Sequence, residues 1–300
     1  MRPFTGKHAA LAVIAGVALS TGAAAAVRAA GAEAGSKDGR ARASEVRVGI
    51  AAPRAAAAQG CNEYDGFFDL SDDPGKRHSF AFTRVAYSGG GMGRGWGRGG
   101  RSGWATDAPK ADWQFLVVFR RLLGIDSYPC QHYIALDDPA IRHFPFLYAL
   151  EVGSMNLSDE EVKNLREYLL AGGFLMIDDF WGGGEWSNFE YNIERVLPEY
   201  EIVELPLDHP IFKTFYEIKE ILQVPNVGNA RGGWQTTECA GCLPQALGIL
   251  DDRGRVMVVI NWNTDLGDAW EWAEQPFYPL KYSTFAYQMG VNFIVYSMSH

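Results

Sequence analysis

Two adjacent carboxylates, Asp178 and Asp179, stand at the end of an apolar segment, residues 174–177 (FLMI), and are followed by an aromatic pair and three glycines. A continuous apolar run of this kind is typical of a strand that is buried on both faces of a parallel sheet. Because adjacent side chains of a strand point to opposite faces, we expect only one of the two acids to enter a site. We assign Asp178 to the site, as a metal ligand or a catalytic acid/base group, and Asp179 to the ligand-binding turn beside it. The reverse assignment is the alternative.

A second acidic stretch follows another apolar segment, residues 255–260 (RVMVVI), and contains Asp265, Asp268 and Glu271. If both apolar segments are parallel strands, both acidic stretches lie at the carboxyl edge of one sheet, where α/β proteins bind ligands. Converging carboxylates could bind Ca²⁺ or Mg²⁺, act as an acid/base pair, or hydrogen-bond to sugar hydroxyls. We therefore predict three further metal ligands here. The alternative is a capped loop in which the two aspartates are solvated and Glu271 lies in a first helical turn.

Tryptophans flank both acidic stretches rather than the centres of the predicted strands. Trp181 follows the first acidic pair, and Trp270 lies within the second stretch. Flat rings beside carboxylates suit a sugar or another ring-bearing ligand, so we predict both as ligand-binding stacking surfaces, with simple loop packing as the alternative. Arg84, on the first predicted strand, is a further candidate ligand-binding residue that would orient an acid of the site.

The chain lacks the common motifs of an activated serine, a zinc protease or a phosphate-binding loop. It has no G-x-S-x-G, no H-E-x-x-H and no G-x-x-x-x-G-K-[ST]. A Gly/Arg-rich stretch, residues 88–104, contains a G-x-G-x-x-G match, but Pro109 separates it from the next predicted helix. We interpret this stretch as a surface loop, with anion binding by its arginines as the alternative.

Four cysteines are present, Cys61, Cys130, Cys239 and Cys242. The last two form a C-x-x-C, and Pro244 favours a loop there rather than the start of a helix. An even number of cysteines in an oxidising compartment favours structural disulfides, although the sequence leaves their pairing open. Zinc binding and a redox role are the alternatives.

The first residues have the pattern of a secretory signal peptide over residues 1–26: a basic start, a short apolar stretch and a run of alanines. Residues 27–60 are rich in Ala, Gly and Arg and are predicted to be a flexible linker, and residues 61–300 a single α/β domain. Removal of the signal peptide changes the net charge from −9 to −11, which argues against a nucleic-acid partner. We expect a periplasmic or secreted protein with no stable membrane span after cleavage. Its partner would be a small polar molecule, a sugar or an envelope protein.

Segments with strand and helix patterns alternate along the predicted domain. In the clearest helix, residues 157–173, Ser158 and Glu161 form a capping box. Residues 245–250 and 255–261 are predicted as a strand pair joined by a tight turn. The alternation predicts an α/β fold with a mostly parallel sheet that helices cover on both faces. The other predicted strands are residues 79–87, 144–151, 174–178 and 200–205, and the other predicted helices are residues 111–124, 185–198 and 284–298.

Several segments together resemble an uncharacterised bacterial domain-of-unknown-function family, DUF 4159: FAFTRVAYSGG, TDAPKADWQFL, LSDEEVKNLREYLLAGGFLMIDDFWG and LDHPIF. The likeness covers residues 78–300, and it does not point to any particular activity. More distantly, the helix, the paired glycines and the following strand look like the glutamine-amidotransferase-like and trehalose-utilisation-like superfamily. This resemblance implies a flavodoxin-like three-layer sandwich with a class I amidotransferase-like, mostly parallel sheet. True amidotransferases carry a nucleophilic cysteine in the turn after this strand. Asp178 and Asp179 stand there instead, so amidotransfer is not expected.

Two function hypotheses follow from these patterns. The first is an exported, non-catalytic ligand-binding or interaction module, whose acidic, Trp-lined site could hold a divalent cation such as Ca²⁺ or Mg²⁺. The second is a carboxylate- or metal-dependent hydrolase that acts on a carbohydrate-like substrate. The first is favoured, because the chain offers no activated nucleophile.

Overall fold

The computed structural model describes residues 78–89, 103–233 and 235–300. In these parts of the chain, the strands are β1 (Thr83–Ala86), β2 (His132–Ala135), β3 (Phe146–Leu150), β4 (Phe174–Asp178), β5 (Ile202–Glu204), β6 (Gln245–Leu250) and β7 (Val256–Trp262). The helices are α1 (Lys110–Leu123), α2 (Asp159–Leu170), α3 (Gly182–Val196), α4 (Val227–Gly232), α5 (Leu266–Glu271) and α6 (Leu280–Ser299). Short 3₁₀ turns connect several of these elements.

The strands form a single sheet in the order β2-β1-β3-β4-β7-β6-β5. The first five in this order are parallel, whereas β6 pairs antiparallel with β7 and β5 pairs antiparallel with β6. After β1 the chain runs outward to β2 and then returns to β3 on the other side of β1, so the strand order reverses between β1 and β3. A crevice at the carboxyl ends of the strands is expected at such a reversal.

Two apolar layers cover the sheet, as the continuously apolar strands require. All residues of β3 and β4 are buried. On one face, Phe115 of α1, Trp270 of α5 and Phe285 of α6 belong to one cluster. On the other face, α2 and α3 contribute to a second cluster. The protein is thus a mixed α/β sandwich with a mostly parallel sheet, which confirms the predicted flavodoxin-like class.

Several predicted elements are present with small shifts in their ends. The capping box of α2 is formed: the Ser158 hydroxyl accepts from Glu161 N at 3.2 Å, and the Glu161 carboxylate accepts from Ser158 N at 2.7 Å. The predicted pair of strands at residues 245–261 is the β6–β7 hairpin. Three short elements were missed, namely β2, α4 and α5, because four to six residues are too few to establish a period.

Cys239 and Cys242 form a disulfide, a pairing that the sequence left open, and Cys130 is disulfide-bonded as well. Cys61 lies outside the described residues, as do the predicted signal peptide, the predicted linker, the boundary at residue 61, and most of the Gly/Arg-rich stretch (residues 90–102). Among the described helices, none combines the length and the apolar character needed to cross a membrane.

Candidate functional site

The carboxyl edge of the parallel strands carries all four non-glycine residues with positive φ in the described parts of the chain. Glu151, Asp179 and Asn263 come directly after β3, β4 and β7, with φ of 54°, 50° and 60°. Asp107, with φ of 62°, lies between β1 and α1. A side chain with a Cβ in this conformation costs about 1–2 kcal/mol. Backbone strain of this kind concentrates at functional sites. The strained residues at three adjacent strand ends and in one neighbouring loop therefore mark this edge of the sheet as the candidate site.

Asp178, the last residue of β4, is fully buried and bonded to the protein. Its Oδ2 accepts from Tyr148 Oη, Leu266 N and Gly267 N, each at 3.0 Å. No described residue forms a hydrogen bond with its Oδ1. Burial raises the pKa of Asp178 to about 7, and the three hydrogen bonds oppose this rise only in part. The structure therefore uses Asp178 to join β4 to the start of α5, whereas the sequence predicted it as a metal ligand.

Asp179 points to a group of carboxylates on neighbouring loops. Ligand atoms of Asp107, Asp179 and Asp265 all lie within 4.8 Å of one another. The Asp179 carboxylate also accepts from Trp181 Nε1 at 3.0 Å, which fixes its orientation. Burial, followed by the negative charges of Glu151 and Asp107, raises the pKa of Asp179 well above its usual range. Of the two adjacent acids, it is therefore Asp179 that joins this group, which was the alternative assignment.

A second group shares one member with the first. Ligand atoms of Asp107, Asp268 and Glu271 lie within 4.8 Å of one another. Asp107 was missed by the sequence analysis, because it lies 71 residues before the β4 acids and only the fold brings it to them. Its Oδ2 is buried and has no hydrogen-bond partner within the described parts of the chain. The two groups of three carboxylates thus share Asp107, whose Oδ2 has no hydrogen-bond partner among the described residues.

The acids that follow β7 are partly committed to local hydrogen bonds. Asp265 caps α5 by accepting from Asp268 N at 2.7 Å. Asp268 accepts from Trp272 Nε1 at 2.9 Å and from Val227 N on α4. The helix cap agrees with the capped-loop alternative, but Asp265 and Asp268 are buried, not solvated. Glu271 ends α5 rather than beginning it.

The five carboxylates of Asp107, Asp179, Asp265, Asp268 and Glu271, here called the acidic site, have no direct counter-ion among the described residues. Within the described residues, no Lys or Arg forms an ion pair with any of them; Lys110 pairs with Glu274 and Arg84 with Asp112. Burial and then the charge of Asp268 raise the pKa of Glu271 to about 7. Buried carboxylates this close cannot all ionise unless a cation joins them, because each unpaired charge in a low-dielectric region is costly.

The sequence profile of a domain of unknown function, DUF4159, matches residues 81–298. The chain belongs to the DUF4159 family. The matched region contains the whole acidic site and the C-x-x-C, and it confirms the family resemblance expected from the sequence. A comparison with curated proteins found no significant match.

Arg84 has a structural position in this DUF4159 domain that differs from the predicted one. Its side chain is fully buried on β1, and Nη2 pairs with Asp112 Oδ1 at 2.6 Å. Nη1 donates to the carbonyl oxygens of Trp104 and Thr106, at 3.0 Å for Trp104. With no exposed surface, Arg84 cannot contact a ligand directly in this structure. Instead it holds the segment that leads into Asp107.

The tryptophans do not line the DUF4159 acidic site as stacking surfaces. Trp270 is fully buried, with its ring 4.7 Å from that of Phe115 and 5.6 Å from that of Tyr148. Trp181 is 7% exposed and uses its indole N–H on Asp179. The prediction of Trp270 as a stacking surface was therefore wrong: α5 turns this side chain into the core. Simple loop packing, the stated alternative, describes Trp181, whereas Trp270 is a core residue.

A further acidic residue of the DUF4159 domain, Glu151, lies beside Asp179. Burial and then the charges of Glu185 and Glu238 raise the pKa of Glu151 to about 7. Glu185 in the first turn of α3 accepts from Trp181 N at 2.6 Å. This edge of the sheet therefore carries a negative field that extends beyond the five carboxylates, and a field of this sign attracts cations and repels anions.

Proposed function

We propose that the protein is an exported ligand-binding module whose acidic site binds a divalent cation. One observation carries the proposal: five carboxylates from three loops meet around Asp107, whose Oδ2 is buried and unpartnered, with no Lys or Arg of the described residues paired to them. A bound cation would supply the missing positive charge and partner the free oxygen. No activity is required of such a site.

The donor set favours Ca²⁺ or Mg²⁺ over transition metals. All ligand atoms of the two groups are carboxylate oxygens, which hard cations prefer, and neither group contains His or Cys. Oxygens on opposite sides of a Ca²⁺ ion lie at about twice the bond length of 2.3–2.6 Å. The 4.8 Å limit within which each group lies is compatible with that span. Ca²⁺ also tolerates irregular geometry, which suits ligands from loops.

The wider relationship to the glutamine-amidotransferase-like superfamily is part of the proposal. It is supported by the strand order β2-β1-β3-β4 and by the strained turn that follows β4. The residue with positive φ in that turn is Asp179, where an amidotransferase would carry its cysteine. A carboxylate is a much weaker nucleophile toward carbonyl carbon than a thiolate, so we infer binding rather than amidotransfer.

Export to the periplasm or the exterior is likewise proposed. The signal-like residues 1–26 support it, and so do the disulfides at Cys239–Cys242 and Cys130, because disulfides persist in oxidising compartments. Millimolar Ca²⁺ affinities are typical of extracellular modules, so a modest affinity would suffice there. A small polar molecule, a sugar or an envelope protein could complete the coordination of the ion as the physiological partner.

Cation addition is expected to stabilise the wild-type protein by about 2.7 kcal/mol at a concentration one hundred times the dissociation constant. The measurement is a thermal or urea unfolding series with CaCl₂ or MgCl₂ after chelator treatment. Asp107→Asn should raise the stability of the cation-free protein, because it removes one of the repelling charges. The same variant should lose most of the cation-induced gain.

Asp252→Asn is the matched control, since Asp252 is exposed in the β6–β7 turn, away from the acidic site. This variant should respond to cations as the wild type does. A wild-type protein whose stability is unchanged by either cation would overturn the proposed function. So would an Asp107→Asn variant that keeps the full response.

A hydrolase is the second candidate, and one observation favours it. Glu271 is partly exposed, belongs to the group with Asp107 and Asp268, and has a pKa near 7, as a general acid or base needs at neutral pH. If the protein hydrolyses a glycoside or an ester, Glu271→Gln should lower kcat by about 10²–10⁴-fold at saturating cation. A panel of chromogenic glycosides and esters tests this prediction. If the wild type hydrolyses none of them, the hydrolase is rejected and the binding module is retained.

A further inference from the structure

The segment of residues 236–243, here called the cysteine loop, lies against the carboxyl edge of the sheet and contains the Cys239–Cys242 disulfide. Both cysteines are partly exposed. The position that a Cβ would occupy at Gly182 is 3.5 Å from Cys239 Sγ and 3.9 Å from Cys242 Sγ. The two sulfurs therefore rest on the first residue of α3, three residues after Asp179.

Asn263 connects the cysteine loop to the acidic loops on both sides. Its Oδ1 accepts from Gly182 N at 2.8 Å and lies 3.8 Å from Cys239 Sγ. Its Nδ2 donates to Leu243 O, within the cysteine loop, at 2.8 Å. Asn263 has a positive φ and stands two residues before Asp265. A shift of the sulfurs would therefore act on the turns that carry Asp179 and Asp265.

The other side of the cysteine loop is bonded to α4, which in turn contacts the second group of carboxylates. Asn229 Nδ2 donates to Thr237 O at 3.1 Å. Val227 N, at the start of the same helix, donates to the Asp268 carboxylate. The cysteine loop is thus hydrogen-bonded, directly or through one residue, to all of the loops after β4 and β7 that carry acidic-site residues.

We propose that Cys239–Cys242 is a reversible thiol–disulfide exchange site for dithiols, and that its oxidised form is the one with high affinity for a cation at the acidic site. The second half of this inference rests on the proposed cation binding. A dithiol reductant would attack one sulfur through a thiolate, breaking the S–S bond and forming a mixed disulfide. Its second thiol then displaces the protein sulfur. The reductant becomes a disulfide, and Cys239 and Cys242 together gain two electrons and two protons.

Reduction changes the space that the sulfurs need. In a disulfide the sulfurs are about 2 Å apart, whereas two unbonded thiols must separate to van der Waals contact. Gly182 and Asn263 border Cys239 directly, so this separation must displace them or the cysteine loop. Because ligand geometry decides cation affinity, a displaced Asp179 or Asp265 lowers it. The expected change is at least a tenfold weaker binding in the reduced form.

The first test compares cation affinity by calorimetry in non-reducing buffer, so that the disulfide at Cys130 stays intact. The Cys239→Ser/Cys242→Ser variant should bind Ca²⁺ or Mg²⁺ at least tenfold more weakly than the oxidised wild type. Ala240→Ser is the matched control, since Ala240 is exposed between the two cysteines and its replacement keeps the disulfide. The control should bind as the wild type does.

The second test uses the reciprocity of linked equilibria. The wild type is equilibrated in dithiothreitol redox buffers, alkylated, and the Cys239–Cys242 peptide is quantified by mass spectrometry. If oxidation tightens cation binding tenfold, saturating Ca²⁺ should make the midpoint potential about 30 mV more negative. Equal affinities of the two forms together with an unshifted midpoint would overturn this inference alone. An absence of cation binding in every form would overturn the proposed function and the coupling with it.

Discussion

In the presence of a chelator, the protein should lose about 3 kcal/mol of unfolding free energy through Asp178 alone as the pH rises from about 4 to about 7. Burial raises the pKa of Asp178 from its ordinary 3.8 to about 7 in the folded protein. Between these two values the folded state holds a proton that the unfolded state has released. Folding is therefore favoured at the acidic end of this range, and the advantage is gone once the pH passes the folded pKa.

The other buried acids shift the stability in the same direction. The pKa values of Asp107, Asp179 and Asp265 are raised well above their usual range, first by burial and then by neighbouring carboxylates. A bound cation reverses their preference, because it favours the ionised carboxylates. With saturating Ca²⁺ or Mg²⁺, the loss of unfolding free energy toward pH 7 should become smaller. Cation affinity should rise with pH, because fewer protons compete for the carboxylates.

Urea unfolding at a series of pH values, with and without cation, checks this prediction. Asp178→Asn is the informative variant, since its amide oxygen can still accept from Leu266 N and Gly267 N. Between pH 4 and pH 7 its unfolding free energy should fall less than that of the wild type, by about 3 kcal/mol. Identical pH profiles for the two proteins would show that Asp178 does not keep its proton in the folded state.

Arg84→Met should destabilise the protein by about 3–5 kcal/mol, because it leaves the Asp112 carboxylate buried without its partner. Both side chains have 0% exposure, and the Arg84 Nη2–Asp112 Oδ1 distance is 2.6 Å. Burial alone would lower the pKa of Arg84, but the Asp112 carboxylate more than offsets this, so the guanidinium stays charged. Burial raises the pKa of Asp112, and the charge and hydrogen bond of Arg84 oppose that rise. The 2.6 Å contact and the retained charge of Arg84 favour a buried ion pair over two neutral groups.

The double variant Arg84→Met/Asp112→Leu separates the unpaired charge from the loss of packing. Replacing both ions with apolar groups should recover most of the stability, since a matched apolar pair avoids the desolvation cost. Arg121→Met, on the exposed side of α1, is the control and should change the unfolding free energy by less than about 0.5 kcal/mol. A loss below about 1 kcal/mol for Arg84→Met would contradict the prediction. Because Arg84 also bonds to Thr106 O, the single variant should weaken cation binding at Asp107 too.

The sequence predicted the fold well where burial leaves a continuous signal. β3 is apolar throughout, and β4 and β7 are apolar up to Asp178 and Asn261, because helices cover both sides of them. Helix α2 carries a capping box. β2 reads HYIA and α5 reads LGDAWE, and neither is long enough to separate a strand period from a helix period. Short elements are decided by their tertiary contacts, which the local sequence does not contain.

The candidate site was predictable only in its location. The carboxyl edge of β4 and β7 followed from the parallel strands, and the acids of both loops do lie there. Which acid of the adjacent pair enters the group was not predictable, because Asp179 leaves the strand with a positive φ and the alternation of side chains ends at Asp178. Asp107 could be found only from the crossover that brings the loop after β1 to this edge. Trp270 was misjudged because the turn of α5 was not anticipated.

Helix α5 connects the acidic site to the hydrophobic core, which offers a way to detect cation binding. Its six residues carry Asp268 and Glu271 at the acidic site and Trp270 in the centre of the core, where the ring lies against Phe115. A Cβ at Gly290 of α6 would lie 2.9 Å from the same indole, so α5 and α6 are in close contact at this point. A cation that draws Asp268 inward must therefore move the indole and α6 as well. Cation binding at the acidic site would therefore be detectable as a change in the fluorescence of Trp270. This residue lies on the face of the sheet opposite α2 and α3.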